Sequence, residues 1–263
     1  RLKFNKMSNL EFFFILFVTN SIMLMALVLR SVTKKSPRAL IRFFFVPILI
    51  TFLSGTALQS FANISEYTNR QLLMTLILFV WCLKSIVSYR SIKTVLLSNF
   101  LDDLKEEIRN KNFIKIIFLI LKVSFLQLAC FTALLSLNYL TGSVHLNYID
   151  VIGLIIIISG LLMEFLCEKE LKKYSENKSK LVESGPWSLS RNPNFIGIFL
   201  FFLGIQIIAL NAVSNSWSIF GFLLMSFIIF KYLVPLKEKS LMAKFSNYGV
   251  YSKRVPKLIS FKF

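Results

Sequence analysis

Histidine, cysteine and acidic side chains are scarce in this sequence of 263 residues. It contains one histidine, three cysteines and 13 aspartates and glutamates. The cysteines are scattered through apolar runs, so they indicate neither a disulfide framework nor a zinc site, and no metal is expected. A Walker loop, a Gly-x-Gly-x-x-Gly turn and a nucleophile elbow are also missing. The single histidine, His145, argues against histidine-based chemistry.

Apolar residues, in contrast, are abundant. They make up 56% of the chain, phenylalanine alone occurs 28 times, and the mean hydropathy is +0.67. Several runs approach or exceed the roughly 18–20 apolar residues that cross a bilayer, and none alternates like a membrane β-strand. The sequence therefore predicts an all-α, polytopic membrane bundle of about seven spans. The predicted spans are Leu10–Leu29, Phe43–Phe61, Leu72–Val87, Ile116–Leu140, Val151–Cys167, Phe195–Val213 and Ser218–Val234.

The charge is strongly positive, with 31 lysines and arginines and a net charge of +18. In a soluble protein this balance would suggest nucleic acid. Here it indicates basic loops retained on one membrane face, which attract anionic lipid headgroups, and no nucleic-acid partner is expected. Cations concentrate in the first, third and fifth connections and in the C-terminal tail. The pattern predicts a non-cytoplasmic N-terminus and a C-terminus on the cytoplasmic (or matrix) side. The endoplasmic reticulum, the bacterial inner membrane and the mitochondrial inner membrane all remain open.

The connections are too short to fold alone, so one compact membrane domain is expected. Residues 1–115 form an N-terminal part with three spans and an amphipathic connection around Leu101–Arg109, and residues 116–263 form the C-terminal part with four spans and a basic tail. Lys84 and Lys122 lie near the predicted cytoplasmic ends of spans. We expect both ammonium groups to reach the interface, because a lysine deep in lipid is costly and would suggest a function.

Two carboxylates, Glu164 and Glu168, are four residues apart at the end of the fifth span and thus face one side of a helix. Glu164 follows a long apolar stretch, and a buried carboxylate must be paired or protonated. The expected partner is Arg191 or Arg254. The pair can be part of a functional site or a structural ion pair at a helix end.

A polar segment, Ser184–Gly197, interrupts the apolar runs. Pro193 suits the first turn of a helix, and the free N–H groups of that turn, with Arg191 and Asn194, would form an anion pocket. The alternative is a capped loop that only positions two spans. The tail, Tyr248–Pro256, carries aromatic and basic side chains that could hold a nucleotide, or could form an aromatic belt at the membrane interface.

Taken in order, these motifs resemble the steroid 5-alpha-reductase-like superfamily of membrane enzymes, and most of all its bacterial-type, reductase-like branch. The resemblance runs from about Phe125 to Phe263. Gln127 and then Glu164 to Glu170 stand where the family has a Gln-bearing span and a Glu-x-x-Ala-Asp-x-Gln end. The family signature Gly-Leu-Trp-x-x-Ser-Arg-His-Pro-Asn-Tyr-x-Gly-Glu corresponds to the stretch from Gly185 to Ile198. Glu238 and the closing Tyr-x-x-Tyr with basic residues and Pro also match.

The resemblance implies a helical bundle with a cytoplasm-facing cofactor cavity, NADPH as the cofactor, and hydride transfer to a carbon–carbon double bond conjugated to a carbonyl. It implies that the nucleotide is held by Trp187, Arg191, Asn194, Tyr248, Tyr251 and Arg254. It further implies that Glu164, Glu168 and Glu238 orient those residues. The chain departs from the signature at Asn192 (family His), Phe195 (family Tyr) and Ile198 (family Glu), and its catalytic proton donor is not identified.

Three functions follow as hypotheses. The first is an NADPH-dependent reductase of an enone-bearing lipid such as a sterol, a steroid or a polyprenoid. The second is a non-catalytic structural or lipid-binding subunit of a larger membrane complex, with no cofactor, which the lost signature residues would suit. The third is an S-adenosylmethionine-dependent methyltransferase, because the related isoprenylcysteine methyltransferases share a similar Arg-His-Pro element.

Overall fold

The computed structural model describes residues 9–33, 46–61, 68–87, 106–107, 109–110, 112–139, 146–174, 181–212 and 218–258, and all regular structure in these segments is helical. Of the predicted amphipathic connection around Leu101–Arg109, it describes only residues 106, 107 and 109, which are helical. His145 lies outside the described residues.

The helices are α1 (Asn9–Thr33), α2 (Val46–Phe61), α3 (Asn69–Val87), α4 (Phe113–Cys130), α5 (Thr132–Tyr139), α6 (Tyr148–Lys173), α7 (Pro186–Leu189), α8 (Pro193–Ala212), α9 (Ile219–Lys244) and α10 (Tyr248–Arg254). Within the described residues, six helices are long and apolar enough to cross a membrane, and α2 adds a shorter apolar stretch, Val46–Leu58. The predicted all-α, polytopic membrane bundle is confirmed.

Two predicted spans have different boundaries in the structure. The fourth is divided, because α4 ends at Cys130 and α5 begins at Thr132. The last continues ten residues beyond the predicted end at Val234, to Lys244. A π-helical segment, Ile228–Leu233, precedes Pro235. The wide turn accommodates a residue that lacks an N–H and whose ring crowds the preceding turn. The basic residues after Pro235 therefore lie on a helix and not in a loose tail.

Helices α6 and α8 form the closest pair of the bundle, because glycines face each other along it. A Cβ atom on Gly160 would lie 2.5 Å from the carbonyl oxygen of Gly197, and one on Gly204 would lie 2.5 Å from that of Gly153. The two glycines of each helix are seven residues apart and so share one face. Small residues let membrane helices approach until their backbones touch. This contact fixes the end of α6 against the start of α8, where the candidate site lies.

Aromatic side chains fill the interior and also cover the outside. Trp81 on α3 stacks on Phe201 on α8, with ring centroids 5.0 Å apart, and Phe131 packs on Phe202 at the same distance. On α4, Phe118 and Phe125 are both 68% exposed. An apolar outer surface of this kind suits contact with lipid tails, as the composition predicts.

A buried ion pair joins three helices at the end of the bundle opposite Glu164. Arg70 on α3 donates from Nε and Nη2 to the two carboxylate oxygens of Asp150 on α6, at 2.8 and 2.7 Å. Asp150 also accepts the N–H of Asn147 in a capping box, and Asn147 exchanges side-chain hydrogen bonds with Asn211 on α8. Arg70 lies outside the basic connections, and its bidentate pairing with Asp150 satisfies its charge.

Candidate functional site

The junction between α7 and α8 forms the base of the candidate site. Gly185 has a positive φ of 60°, which suits a residue without a Cβ, and it turns the chain into α7, where Trp187 is buried. The backbone carbonyl of Asn192 then accepts the N–H groups of Phe195 and Ile196, at 3.1 and 3.2 Å. This caps the first turn of α8, and Pro193 starts that helix as the sequence predicts.

The C-terminal segment packs directly onto this junction. Tyr248 and Tyr251 are buried side by side on α10, with ring centroids 5.7 Å apart. The hydroxyl of Tyr251 donates to the carbonyl oxygen of Trp187 at 2.7 Å, and the backbone N–H of Arg191 donates to that of Pro256 at 3.0 Å. The two motifs that carry the family resemblance therefore meet in space.

Helix α9 completes the site with Lys237 and Glu238. The carboxylate of Glu238 accepts a hydrogen bond from Nδ2 of Asn192 at 3.1 Å and lies 3.6 Å from Nε of Arg191. Nδ2 of Asn192 also donates to the carbonyl oxygen of Lys257 at 3.1 Å. Glu238 thus holds the polar segment in place. We call this group the Arg191 cluster, and it consists of Trp187, Arg191, Asn192, Asn194, Lys237 and Glu238.

The ammonium group of Lys237 occupies an unusual position between two aromatic rings. It lies 4.3 Å from the ring centroid of Trp187 and 5.4 Å from that of Phe195. It donates to Oδ1 of Asn194 at 2.8 Å and approaches the carbonyl oxygen of Arg191 at 3.4 Å. Aromatic faces and neutral oxygens attract a cation, but they do not neutralise it.

Three buried polar atoms of the Arg191 cluster make no hydrogen bond among the described residues. They are Nε1 of Trp187, Oδ1 of Asn192 and Nε of Arg191, the last of which has only its ion pair with Glu238. A buried N–H group without an acceptor costs about 1–3 kcal/mol. The unsatisfied donor of Trp187, beside the cations Arg191 and Lys237, fits an anionic or polar ligand group. These residues therefore fit a phosphate-bearing cofactor.

A second charged group, the Lys84 cluster, consists of Lys84, Glu164 and Glu168. Lys84 on α3 forms an ion pair with Glu164 on α6, and its Nζ lies 3.8 Å from Oε1 of Glu168. The prediction that Lys84 reaches the interface is wrong, because the side chain is only 15% exposed and turns to this interior partner. Lys122, in contrast, is exposed.

The predicted partners of Glu164 are also wrong. Arg191 faces Glu238, and Arg254 pairs with Glu183. The two charges lie at a similar depth in the bundle, because Lys84 and Glu164 are each near the C-terminal end of their helix, on α3 and α6. A buried ion pair between them avoids leaving either charge alone in an apolar medium.

The structure brings six of the nine predicted site residues together: Trp187, Arg191, Asn194, Glu238, Tyr248 and Tyr251. Arg254 lies at the edge, with its side chain 62% exposed. Glu164 and Glu168 belong to the Lys84 cluster and do not contact Arg191. The two clusters are neighbours, since Cys167 on α6 lies near both Lys84 and Lys237.

Sequence reasoning missed Lys84 and Lys237 as members of a site. The signal for Lys84 was a single charge inside an apolar run that continues beyond it. Glu164 likewise is a single charge inside the apolar run of another span. The signal for Lys237 was weaker, because it stands among other basic residues and only its helical context after Pro235 separates it from them. Within the described residues, no group of histidine, cysteine and carboxylate side chains could hold a metal ion.

Burial also affects the two tyrosines of α10. It raises the pKa of Tyr251 far above that of an ordinary phenol, and it raises the pKa of Tyr248 as well, although the neighbouring Arg191 guanidinium opposes the shift. Both phenols are therefore neutral at physiological pH and available as hydrogen-bond donors.

The departures from the family signature have clear local environments. Ile198, where the family has Glu, is 5% exposed and lies in the apolar core. Phe195, where the family has Tyr, is also buried and faces Lys237. Asn192 replaces the family His with an amide that donates to Glu238 and to the backbone. The polar wall of the site is thus reduced by one acid but retains its hydrogen bonds.

The helices and their apolar outer surface define a polytopic, all-α membrane protein. Residues 47–255 match the family described as "Protein of unknown function (DUF1295)". The match covers most of the chain, and the chain belongs to this family, which is of the steroid 5-alpha-reductase-like kind. The comparison with curated proteins and the comparison with solved structures gave no match.

Proposed function

We propose that this chain is a membrane-embedded reductase that uses NADPH to reduce a conjugated carbon–carbon double bond in a lipid. The observation that carries the proposal is the Arg191 cluster. The buried N–H of Trp187 makes no hydrogen bond among the described residues there, and the cations Arg191 and Lys237 lie beside a single carboxylate, Glu238. The family membership supports the same reading. Within the superfamily, the motifs favour the bacterial-type, reductase-like branch.

The proposed site would hold the nucleotide with the residues that the resemblance implies. Arg191 and Trp187 would donate hydrogen bonds to the phosphate-bearing part of the nucleotide. Asn194 would position Lys237, from which it accepts a hydrogen bond. Tyr248 and Tyr251 would shape the apolar wall, because both rings are buried against the junction. Arg254 would close the outer edge beside Glu183. NADPH, when bound there, supplies the hydride for the carbon atom β to the carbonyl.

The body of the protein favours a substrate from the bilayer. Its outer surface is apolar along α4 and α6, and the long helices leave the site at the end of α6, near one membrane face. A sterol, a steroid or a polyprenoid with an enone reaches such a site without crossing water. Burial of the site would also exclude water from the reacting carbon atoms.

A non-catalytic role in a larger membrane complex is the second candidate, and Ile198 favours it. This side chain contributes to the apolar core at the position where the family has an acid. A site that had lost its chemistry would tolerate such a change and keep the fold. The proposal of a reductase and this alternative differ in whether a nucleotide binds.

NADPH binding to the purified protein in nanodiscs tests the proposal. We expect saturable binding that is lost in Arg191→Ala and unaffected by S-adenosylmethionine. Lys239→Met, which changes an exposed cation on α9, should retain the binding. Absence of binding to a folded sample would contradict the reductase and favour the complex subunit. Binding of S-adenosylmethionine alone would favour a methyltransferase.

A further inference from the structure

Lys237 is half-buried, and its positive charge forms no ion pair with a described carboxylate. Its ammonium group lies between the rings of Trp187 and Phe195 and donates to the neutral oxygens of Asn194 and Arg191. The adjacent carboxylate of Glu238 is engaged by Arg191 and Asn192. None of the ion pairs among the described residues includes Lys237.

A cation removed from water without a counter-charge is costly, and the cost falls when an anion approaches. An ammonium group has three donors, and its hydrogen bonds to Asn194 and Arg191 use two of them. Within the Arg191 cluster, the two positive charges of Arg191 and Lys237 face the one negative charge of Glu238. The cluster is thus short of one negative charge.

The neighbours of Lys237 point to the same place. Nε1 of Trp187 belongs to the ring whose centroid is 4.3 Å from the ammonium group, and it is a buried donor without a partner. Trp187 is only 5% exposed. Nε of Arg191 also makes no hydrogen bond, although it lies 3.6 Å from the carboxylate of Glu238. The ammonium group of Lys237 and the indole N–H of Trp187 are therefore neighbouring donors with hydrogen-bonding capacity left over.

We infer that the ammonium group of Lys237 binds a phosphate group of the ligand. The site would thereby select a ligand that carries phosphate over one that does not. The inference rests on the proposed function, in which that ligand is NADPH. A phosphate group supplies the missing negative charge and several acceptor oxygens for Lys237, Trp187 and Arg191. S-adenosylmethionine carries a positive sulfonium and no phosphate, so Lys237 would repel it.

The test measures ligand binding calorimetrically in nanodiscs of neutral phosphatidylcholine, for wild type, Lys237→Met and Lys237→Arg. Loss of one charge-assisted hydrogen bond predicts NADPH binding that is roughly 10- to 100-fold weaker in Lys237→Met, with partial recovery in Lys237→Arg. Lys239→Met, two residues further along the same helix and exposed, is the matched control and should bind as wild type does. Equal affinity of wild type and Lys237→Met would overturn the inference while leaving the proposed function intact.

Inorganic pyrophosphate separates the two proposals in the other direction. Pyrophosphate that binds wild type and not Lys237→Met, with no NADPH binding, would support phosphate binding by Lys237 and contradict the reductase. Repeating the titration in nanodiscs with anionic phosphatidylglycerol identifies a lipid headgroup as the source, since that lipid would then compete with pyrophosphate. If Lys237→Met does not fold, the melting temperature of the wild-type protein provides the test. Pyrophosphate should raise it, and an unchanged melting temperature would overturn the inference.

Discussion

The ammonium group of Lys84 on α3 and the carboxylate of Glu164 on α6 form an ion pair inside the helical bundle. The two residues are 80 positions apart in the chain. Glu168, one turn further along α6, lies within 3.8 Å of the same ammonium group. This pairing holds α3 against α6 near the Arg191 cluster, so it links the N-terminal spans to the candidate site.

Breaking this ion pair should destabilise the protein more than removing it altogether. Lys84→Met leaves the carboxylates of Glu164 and Glu168 without their cation, which costs about 3–5 kcal/mol. Glu164→Gln should cost less, because Glu168 still lies 3.8 Å from the ammonium group. The double variant removes both charges and should recover part of that loss. Thermal denaturation in detergent of the wild type, the two single variants and the double variant measures the coupling energy between Lys84 and Glu164. If the single variants lose no stability, the pair does not exist in the folded protein.

The glycine contact between α6 and α8 predicts an unequal response to the same small substitution. Gly160→Ala places a methyl group 2.5 Å from the carbonyl oxygen of Gly197, where backbone cannot yield without separating the helices. We expect a loss of about 1–3 kcal/mol, as for overpacking elsewhere. Gly249→Ala is the control, because nothing lies within 4 Å of the new atom. It should be neutral or stabilise α10 by up to about 1 kcal/mol. Thermal denaturation of both variants tests the contact, and equal stability would contradict it.

The buried tyrosines predict how stability responds to alkaline pH. Burial raises the pKa of Tyr251 in the folded state above its unfolded value of about 10. The neutral phenol therefore contributes its full stability below about pH 10, and the contribution is lost as the pH rises through the folded pKa. Tyr251→Phe should lower stability by about 1 kcal/mol at neutral pH, since it removes the hydrogen bond to Trp187, and should flatten the alkaline decline. Melting temperatures measured against pH test both statements, and an unchanged alkaline slope in Tyr251→Phe would contradict the second.

The predicted orientation in the membrane can be tested by cysteine labelling, because the native cysteines should not react with the label. Cys82, Cys130 and Cys167 are all buried. A cysteine introduced at exposed Lys253 should react with a membrane-impermeant maleimide from the cytoplasmic side, and one at Leu146 from the opposite side. Sealed membrane vesicles of both orientations provide the measurement. Labelling of Lys253→Cys from the non-cytoplasmic side would reverse the orientation.

The sequence alone predicted the helices well, because crossing a bilayer imposes one simple requirement of length and apolarity. It placed an element at each of α1, α2, α3, α4, α6, α8 and α9. It did not predict the end of α9, because a proline in an apolar run normally marks the end of a helix, and only the π-helical turn before Pro235 allows the helix to continue.

The site was predictable in part, for a similar reason. The resemblance implied that residues of the signature and of the tail hold one nucleotide, and the hydrogen bond between Tyr251 and Trp187 joins these two segments. The pairing of charges was not predictable, since it depends on which helices lie side by side. Nothing in the local sequence of Lys84 indicates Glu164, and nothing around Lys237 indicates that its neighbours are rings and neutral oxygens.

The proposed activity is the transfer of a hydride from NADPH to a lipid enone. The most direct measurement supplies NADPH deuterated at the transferred position to the protein in nanodiscs with the total lipid extract of its own membrane. Mass spectrometry should find a lipid that has gained one deuterium from the cofactor and one hydrogen from water, and this product should be absent with Arg191→Ala. If no lipid gains deuterium although the wild-type protein is folded, the proposed activity is contradicted and the chain is not a reductase of its membrane's lipids.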